Sequence, residues 1–500
     1  MTRAGQQVTT PCGSRSVLTG ELKGLTGLRI VAAIWVVLFH FHFTPLPGVA
    51  EVAATLGPLV TAGALGVDLF FVLSGFVIAY TYMDKLGPAL RIGATARFVW
   101  ARACRIWPVY AVVFHLFGLW LMARMVFGSD SEIAFQAVQP ELGVGQYIQQ
   151  LFMVQLWDNA FFDGASWVGP TWSISAEWLA YLLFPIGVLV LFRLRNLPAA
   201  VLGVAAVALM APIAWAYLST GSPYYPWSWV VRILCGFSAG ALMYLAVRRT
   251  RRTSSRARRS ASTFAVILPL MIAGGLLLGE LIGPGRGGAV ILLFPLLVGA
   301  MALADRGPAL ALSAPWAVYG GRISYSLYLV HIPMFEIYWL ALRKFSILGP
   351  DTVLAYVAGA LVLVSTIAVA ALAYHAVEEP ARRRMRKLVP AEVESASKAP
   401  RHRAVGGSAA GWPSVGHQTA TAARIAAARR TLAARTDSEI RPAEKAAESA
   451  EFAVPRRPAL GTRNGVLAAA LINAQRRAPA NVDEYERALY VRGGYLNAGG

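Results

Sequence analysis

An arginine and a histidine share one face of the first apolar segment, which reads LRIVAAIWVVLFHFHF. Arg29 and His40 are eleven residues apart, which on an α-helix is a rise of about 16 Å with only about 20° of net rotation. An imidazole inside an apolar segment is a candidate proton acceptor near neutral pH. The alternative is a core histidine hydrogen-bonded to a neighbour. His42 lies about 200° from His40 around the same helix and is expected either to be incidental or to line a different wall.

Three further ionisable residues stand inside apolar segments, where a charge is costly and usually functional. They are Asp68 in GVDLFFVLSGFVIAY, Glu177 in PTWSISAEWLAYLLFP and His331 in GRISYSLYLVHIPMF. Counted at about 1.5 Å per residue from the expected segment ends, these residues lie near the depth of His40. The common depth predicts a shared cavity. We expect Glu177 or Asp68 to orient the His40 imidazole and to stabilise its charged form, as a carboxylate does in a Ser-His-Asp triad.

Two more arginines are candidates for phosphate binding. In RFVWARACRIWP, Arg102 and Arg105 are three residues apart and so share a helical face. With Arg29 they could form a basic mouth whose forked guanidinium groups hold phosphates. The alternative is that these arginines only fix the orientation of the helices in the membrane, by keeping the basic ends on the cytoplasmic side. We expect no metal site, because the three cysteines are too few and too scattered for a zinc cluster or a disulfide framework.

The composition indicates what must position these residues. Of the 500 residues, 56% are hydrophobic and only 14% are charged, which excludes an intrinsically disordered chain and argues against a water-soluble globule. Several apolar runs reach or approach the roughly 18 residues that span a bilayer. The sequence therefore predicts an all-α polytopic membrane protein with about ten transmembrane helices. The predicted spans are roughly 28–45, 64–83, 105–127, 171–192, 199–218, 227–247, 264–282, 289–304, 322–342 and 352–376.

The loops between these spans alternate in charge. Residues 46–63 and 128–170 contain no lysine or arginine, whereas seven arginines lie between Arg248 and Arg259. By the positive-inside rule, both termini are predicted to be cytoplasmic. The net charge of +20 then reflects topology and a basic tail, so no nucleic-acid partner is expected.

We divide the chain into three parts. Residues 1–21 are expected to form a cytoplasmic N-terminal segment, and residues 22–388 the transmembrane domain. Residues 389–500 form a basic tail rich in alanine and arginine with few large apolar residues. Such a composition buries too little surface to offset the entropy of ordering, so a largely disordered cytoplasmic tail is predicted.

The chain resembles acyltransferase family 3, a family of integral-membrane enzymes that O-acylate sugars, surface polysaccharides and some secondary metabolites. The resemblance covers about residues 22–385, and its segments fall in the family's order. Each segment alone is a weak signal, whereas the set is a strong one. They are LTGLRIVAAIWVVLFHFHF, GVDLFFVLSGFVIAY, ARACRIWPVY, PTWSISAEWLAYLLFP, GRISYSLYLVHIPMF and HAVEEPARR.

The resemblance implies acyl-CoA, expected to be acetyl-CoA, as cytoplasmic donor and no permanently bound cofactor. A composition rich in alanine, arginine and glycine is typical of a high-GC bacterium, so a bacterial plasma membrane is expected. The acceptor would be a hydroxyl of a carbohydrate, a cell-envelope glycan or glycolipid, or a secondary metabolite. His40 would act as general base or would carry the acyl group transiently. Any SGNH-type partner would be a separate chain, because the tail has no GDS-type nucleophile motif. The family's functional positions fall on Arg29, His40, Asp68, Arg102, Arg105, Glu177 and Glu379.

Two functions from other classes compete with this interpretation. An exporter or flippase of a glycolipid or acylated metabolite would need polar residues along a continuous path, whereas the ionisable residues here are predicted at one depth. A membrane scaffold would use its basic tail to bind anionic lipid or acidic partners. The scaffold hypothesis predicts that His40 is dispensable and that the tail is essential.

Overall fold

The computed structural model describes residues 20–128, 132–250 and 255–388. These residues form helices, turns and loops without a strand, which confirms the all-α prediction. The predicted N-terminal segment 1–21 lies almost entirely outside the described residues. The predicted tail 389–500 lies entirely outside them.

Sixteen α-helices follow one another in the described ranges. Short 3₁₀ turns precede α7 and α12, and a π-helical turn, Tyr374–Glu378, joins α15 to α16. The helices are α1 Lys23–Phe41, α2 Pro47–Leu56, α3 Pro58–Thr61, α4 Leu65–Leu86, α5 Ile92–Phe127, α6 Val144–Leu151, α7 Trp172–Leu194, α8 Ala199–Ala208, α9 Ala211–Thr220, α10 Ser228–Thr250, α11 Ser255–Ile282, α12 Phe294–Leu303, α13 Pro308–Ala311, α14 Pro315–Lys344, α15 Val353–Ala373 and α16 Glu379–Arg386.

Nine helical segments of the described residues are long and apolar enough to cross a membrane. They account for nine of the ten predicted spans. The remaining one, 322–342, lies within the 30-residue α14, which is long enough but less apolar. Its apolar residues alternate with tyrosines and serines and with Arg322, His331 and Glu336, and the last two are buried inside the bundle. The chain is a multi-pass membrane protein.

Small residues let two helix pairs approach closely. A Cβ atom at Gly75 of α4 would overlap the backbone of Phe237 on α10, and one at Gly240 would overlap Val72 in return. In the second pair, α1 lies against α14, where a Cβ at Gly321 would overlap the backbone of Thr26. Glycine permits such contacts between membrane helices because it has no side chain to separate the backbones. The α1–α14 pair carries both histidines considered below.

Hydrogen bonds and an ion pair show which helix ends lie together. The Tyr80 hydroxyl, near the end of α4, donates to the Gly20 carbonyl just before α1 at 2.7 Å. Arg322, near the start of α14, pairs with Glu21 at 3.0 Å. The starts of α1 and α14 and the end of α4 therefore share one end of the bundle, which we call the arginine end. The opposite end is called the far end.

Candidate active site

Two histidines from neighbouring helices face each other inside the bundle. His331 Nε2 on α14 lies 3.2 Å from His40 Nδ1 on α1, and the ring centroids are 4.9 Å apart. Each ring also contacts its own helix. His40 Nδ1 lies 2.9 Å from the Val36 carbonyl, and His331 Nδ1 lies 2.7 Å from the Tyr328 carbonyl. His331 is fully buried, whereas His40 is partly exposed.

Glu177 is held by hydroxyl groups. Its Oε1 accepts a hydrogen bond from Ser74 Oγ on α4 at 2.5 Å and one from Tyr181 Oη, one turn along α7, at 2.6 Å. The Tyr181 ring lies 5.9 Å from the guanidinium of Arg102. The Glu177 network therefore adjoins the arginines, and no contact within the described ranges joins it to His40.

Asp68 forms a closed ion pair near the far end. Its two carboxylate oxygens accept from Nε and Nη2 of Arg232 on α10 at 2.9 and 2.8 Å, and both side chains are 1% exposed. The guanidinium also lies over the rings of Trp172 and Tyr224, at 4.9 and 5.5 Å from their centroids. Asp68 is thus engaged with α10. The catalytic roles of Asp68 and Glu177 stay predictions, and the His40 imidazole is contacted by Val36 and His331 instead.

The three predicted phosphate-binding arginines come together. Arg29 of α1, Arg102 of α5 and Arg382 of α16 all lie close enough to Arg105 to repel its charge. Arg105 forms an ion pair with the buried Glu378. Four guanidinium groups from three helices thus meet at the arginine end.

Two of these arginines keep their charge free for another partner. Arg29 lies over the Phe70 ring, 5.4 Å from its centroid, and no carboxylate among the described residues pairs with it. Arg102 Nη2 donates to the Tyr82 hydroxyl at 2.9 Å, while its buried Nε has no hydrogen-bond partner in the part of the chain that is described. The cluster therefore has an excess of positive charge with unsatisfied donors, which suits an anion such as a phosphate.

Two adjacent glutamates contact this cluster, Glu378 and the expected Glu379. Glu379, where the resemblance placed the closing acidic position, pairs with Arg382 of the cluster and with Arg383. Glu378 contacts Arg105, and its other oxygen accepts from Ser326 Oγ at 2.7 Å. The π-helical turn Tyr374–Glu378 shifts the helical phase here, because a π turn contains an extra residue. The adjacent glutamates were visible in the sequence, but this phase shift was not.

A second buried charge pair lies at the far end and was missed by the sequence analysis. Arg124 Nη1 on α5 lies 3.6 Å from Glu336 Oε2 on α14, with both side chains buried. Glu336 Oε1 also accepts from the backbone N–H of Phe135 at 2.7 Å. These contacts tie the loop after α5 to α14. The sequence feature that could have predicted this pair is Glu336 itself, an acidic residue in an apolar run five residues after His331.

Comparison with known proteins agrees with this architecture. A family model described as an acyltransferase domain, that of acyltransferase family 3, matches residues 22–375. The chain is 28% identical over 331 residues to acyltransferase MdmB of Streptomyces mycarofaciens, covering 62% of this chain and 78% of that protein. It is 30% identical over 156 residues to protein 2 in picA locus of Rhizobium radiobacter, covering 31% of this chain and 75% of that protein. No solved structure matches the chain. Because the family model covers well over half of its length, the chain belongs to acyltransferase family 3.

Proposed function

We propose that this membrane acyltransferase moves a short acyl group, with acetyl expected, from acyl-CoA to a hydroxyl. The acceptor would be a carbohydrate, a cell-envelope glycan or glycolipid, or a secondary metabolite. Family membership supports membrane acyl transfer in general. The observation that carries the finer proposal is that one helix, α1, bears both an arginine of the anion-binding cluster and a histidine with an available ring nitrogen.

The arginine cluster supports CoA as the carrier of the acyl group. CoA has phosphates at one end and a flexible pantetheine arm, ending in the thioester, at the other. Arg29 and His40 are separated by a helical rise of about 16 Å, which suits an extended arm on the order of 15–20 Å. Phosphates held by Arg29, Arg102 and Arg105 would therefore place the thioester beside His40.

The His40 imidazole supports proton transfer at that point. Its Nδ1 is occupied by Val36 and His331, whereas its Nε2 has no hydrogen-bond partner among the described residues. In the proposed step, Nε2 accepts the proton of the acceptor hydroxyl as its oxygen attacks the thioester carbon. The C–S bond breaks, and the leaving thiolate takes that proton from the imidazolium. In the two-step alternative, Nε2 attacks the thioester carbon and the C–S bond breaks, so that the acyl group is carried on Nε2 and the CoA thiolate leaves. The hydroxyl then attacks the acyl group, the N–C bond breaks, and the hydroxyl proton passes to the thiolate.

We further propose that the protein lies in a bacterial plasma membrane with both termini and the arginine end in the cytoplasm. Two features support this orientation. The loops at the far end, 46–63 and 132–143, lack lysine and arginine, which is typical of external loops. The proposed donor is also a cytoplasmic metabolite, so its phosphate site must face that compartment.

The overall proposal is tested by mass spectrometry of glycans, lipids and secreted metabolites from cells with and without this protein. We expect an acylated species that disappears when the gene is deleted and returns with the wild-type chain. Purified protein with isotopically labelled acetyl-CoA should then transfer the label to the unacylated form of that species. Export of an unchanged species without transfer of label would support the exporter hypothesis instead.

Arg29→Gln is expected to weaken acyl-CoA binding by about tenfold or more. A hydrogen bond to a charged group contributes about 1.5–3 kcal/mol, and Arg29 has no carboxylate partner among the described residues that its loss would leave unpaired. The measurement is the Kd of CoA for the purified protein. Arg195→Gln is the matched control, because Arg195 lies at the end of α7 and packs on Phe192. An unchanged Kd for Arg29→Gln would leave this arginine as a topology anchor only.

Removal of the residues after 392 is expected to leave acyl transfer largely intact. Every proposed site residue precedes this point, and the family match ends at residue 375. The measurement is turnover of the truncated and full-length proteins at equal membrane levels. Loss of turnover would assign the tail a part in substrate delivery or regulation, as the scaffold hypothesis requires.

A further inference from the structure

The contacts of the two histidines determine where their hydrogens lie. A backbone carbonyl only accepts hydrogen bonds, so a ring nitrogen that faces one must carry its hydrogen. His331 Nδ1, 2.7 Å from the Tyr328 carbonyl, is therefore the N–H of that ring. A neutral His331 then presents a lone pair on Nε2, which points at His40 Nδ1 across 3.2 Å.

The same reasoning assigns the His40 ring. Its Nδ1 faces two acceptors, the Val36 carbonyl at 2.9 Å and the His331 Nε2 lone pair at 3.2 Å, so Nδ1 carries the hydrogen. With both rings neutral, this is the arrangement that satisfies all three contacts. It leaves the remaining lone pair of His40 on Nε2, the nitrogen that the proposed reaction uses.

We infer that His331 is a positioning residue, which holds the His40 ring against the Val36 carbonyl, so that the hydrogen stays on Nδ1 and Nε2 stays ready to accept a proton. This inference rests on the proposed function and deepens it. A neutral imidazole would here take the part that the carboxylate has in a Ser-His-Asp triad. When Nε2 gains the hydroxyl proton, the imidazolium keeps donating Nδ1–H to His331, so no proton leaves the pair until the thiolate is protonated.

The Val36 carbonyl does not make His331 redundant. It belongs to the helix that carries His40, where it also accepts the backbone hydrogen bond of residue 40. His331 comes from another helix, is fully buried, and is held by the Tyr328 carbonyl. Tyr328 is itself anchored, because its hydroxyl donates to the Pro170 carbonyl at 2.8 Å. His331 is thus the acceptor that fixes His40 relative to the rest of the bundle.

Two substitutions separate this role from simple packing. In His331→Gln, the side-chain amide can place an acceptor close to the position of Nε2. In His331→Phe, a ring of similar size fills the space but offers no acceptor lone pair. We expect the Phe variant to lower kcat by about 10- to 100-fold, by analogy with the range found for hydrogen-bond partners of metal-binding histidines. KM for acyl-CoA should stay unchanged, and the Gln variant should keep most of the wild-type kcat.

Nitrogen NMR of the purified protein with ¹⁵N-labelled histidine rings provides a readout besides activity. The His40 signals, identified by their absence in His40→Gln, should show a hydrogen on Nδ1 in the wild type and in His331→Gln. In the Phe variant the His40 ring is free to turn away from the Val36 carbonyl, so a mixture of tautomers is expected. If the Phe variant does not accumulate, His331→Met supplies another side chain without a nitrogen acceptor.

The outcomes distinguish this inference from the proposed function. Wild-type kcat in His331→Phe beside an inactive His40→Gln would overturn the positioning role and leave the proposed function standing. Equal losses in His331→Gln and His331→Phe, with unchanged His40 tautomer, would show that only the shape of the ring matters and would also overturn it. An active His40→Gln protein would instead overturn the proposed function.

Discussion

His40→Gln is expected to abolish acyl transfer while the protein still inserts and still binds acyl-CoA. Glutamine keeps the volume and hydrogen-bonding capacity of histidine but cannot accept a proton at neutral pH. General acid–base catalysis typically contributes a factor of about 10² to 10⁴, so turnover should fall at least that far. A nucleophilic role would make the loss larger. Initial rates with labelled acetyl-CoA, together with the Kd of CoA, provide the measurement.

His42→Gln is the matched control for this substitution. His42 follows two residues later, and its Nδ1 contacts the Phe39 carbonyl of the same chain segment. No contact among the described residues links His42 to His331. The turnover of the His42→Gln protein should therefore remain near that of the wild type. Near-normal turnover in His40→Gln would mean that His40 is a core residue satisfied by its neighbours and would refute the mechanism.

Breaking the Asp68–Arg232 pair is expected to destabilise the fold strongly. Both groups are 1% exposed, so removing either one leaves an uncompensated charge in the interior. Loss of one partner of a buried pair typically costs about 3–5 kcal/mol. Asp68→Leu and Arg232→Met should each lower the Tm in detergent and the amount of inserted protein. The double variant should recover most of this loss, because replacing both partners by apolar groups is often nearly neutral.

The double variant also decides between two roles for Asp68. If Asp68 only pairs with Arg232, the double variant should recover activity together with stability. If Asp68 takes part in catalysis, as the sequence analysis predicted, the double variant should be stable but inactive. A single variant with the wild-type Tm would show that the pair contributes little to the fold.

The sequence was sufficient for the helical architecture and for three of the four arginines in the cluster. Apolar runs of bilayer length are almost enough to predict the membrane-spanning helices. A bilayer core contains no water to hydrogen-bond the backbone N–H and C=O groups, so an apolar segment that crosses it must form a helix. Arg102 and Arg105 are neighbours on one helix. Arg29 joins them because α1 and α5 begin at the same end of the bundle.

The neighbour of His40 could not be predicted in the same way. The depth of a residue in the membrane follows from counting residues along its helix. This count placed His331 near the level of His40. Which face of α14 turns toward α1 depends on the close contact between Gly321 and Thr26, a tertiary feature. The partner of Asp68 was hidden for a similar reason, since Arg232 lies on α10, and which helix packs against α4 beside Asp68 is also a tertiary feature.

Placing Arg29 and His40 on one uninterrupted helix has a consequence for how such a chain can change during evolution. A substitution between them alters one patch of the surface of α1 and leaves the rest in place. An inserted or deleted residue would instead turn His40 by about 100° relative to Arg29, and away from His331, although every side chain would still be present. The number of residues between the two is therefore as much a part of the site as their chemical identities. On the proposed function, divergence within this stretch is expected to be confined to replacements that preserve its length.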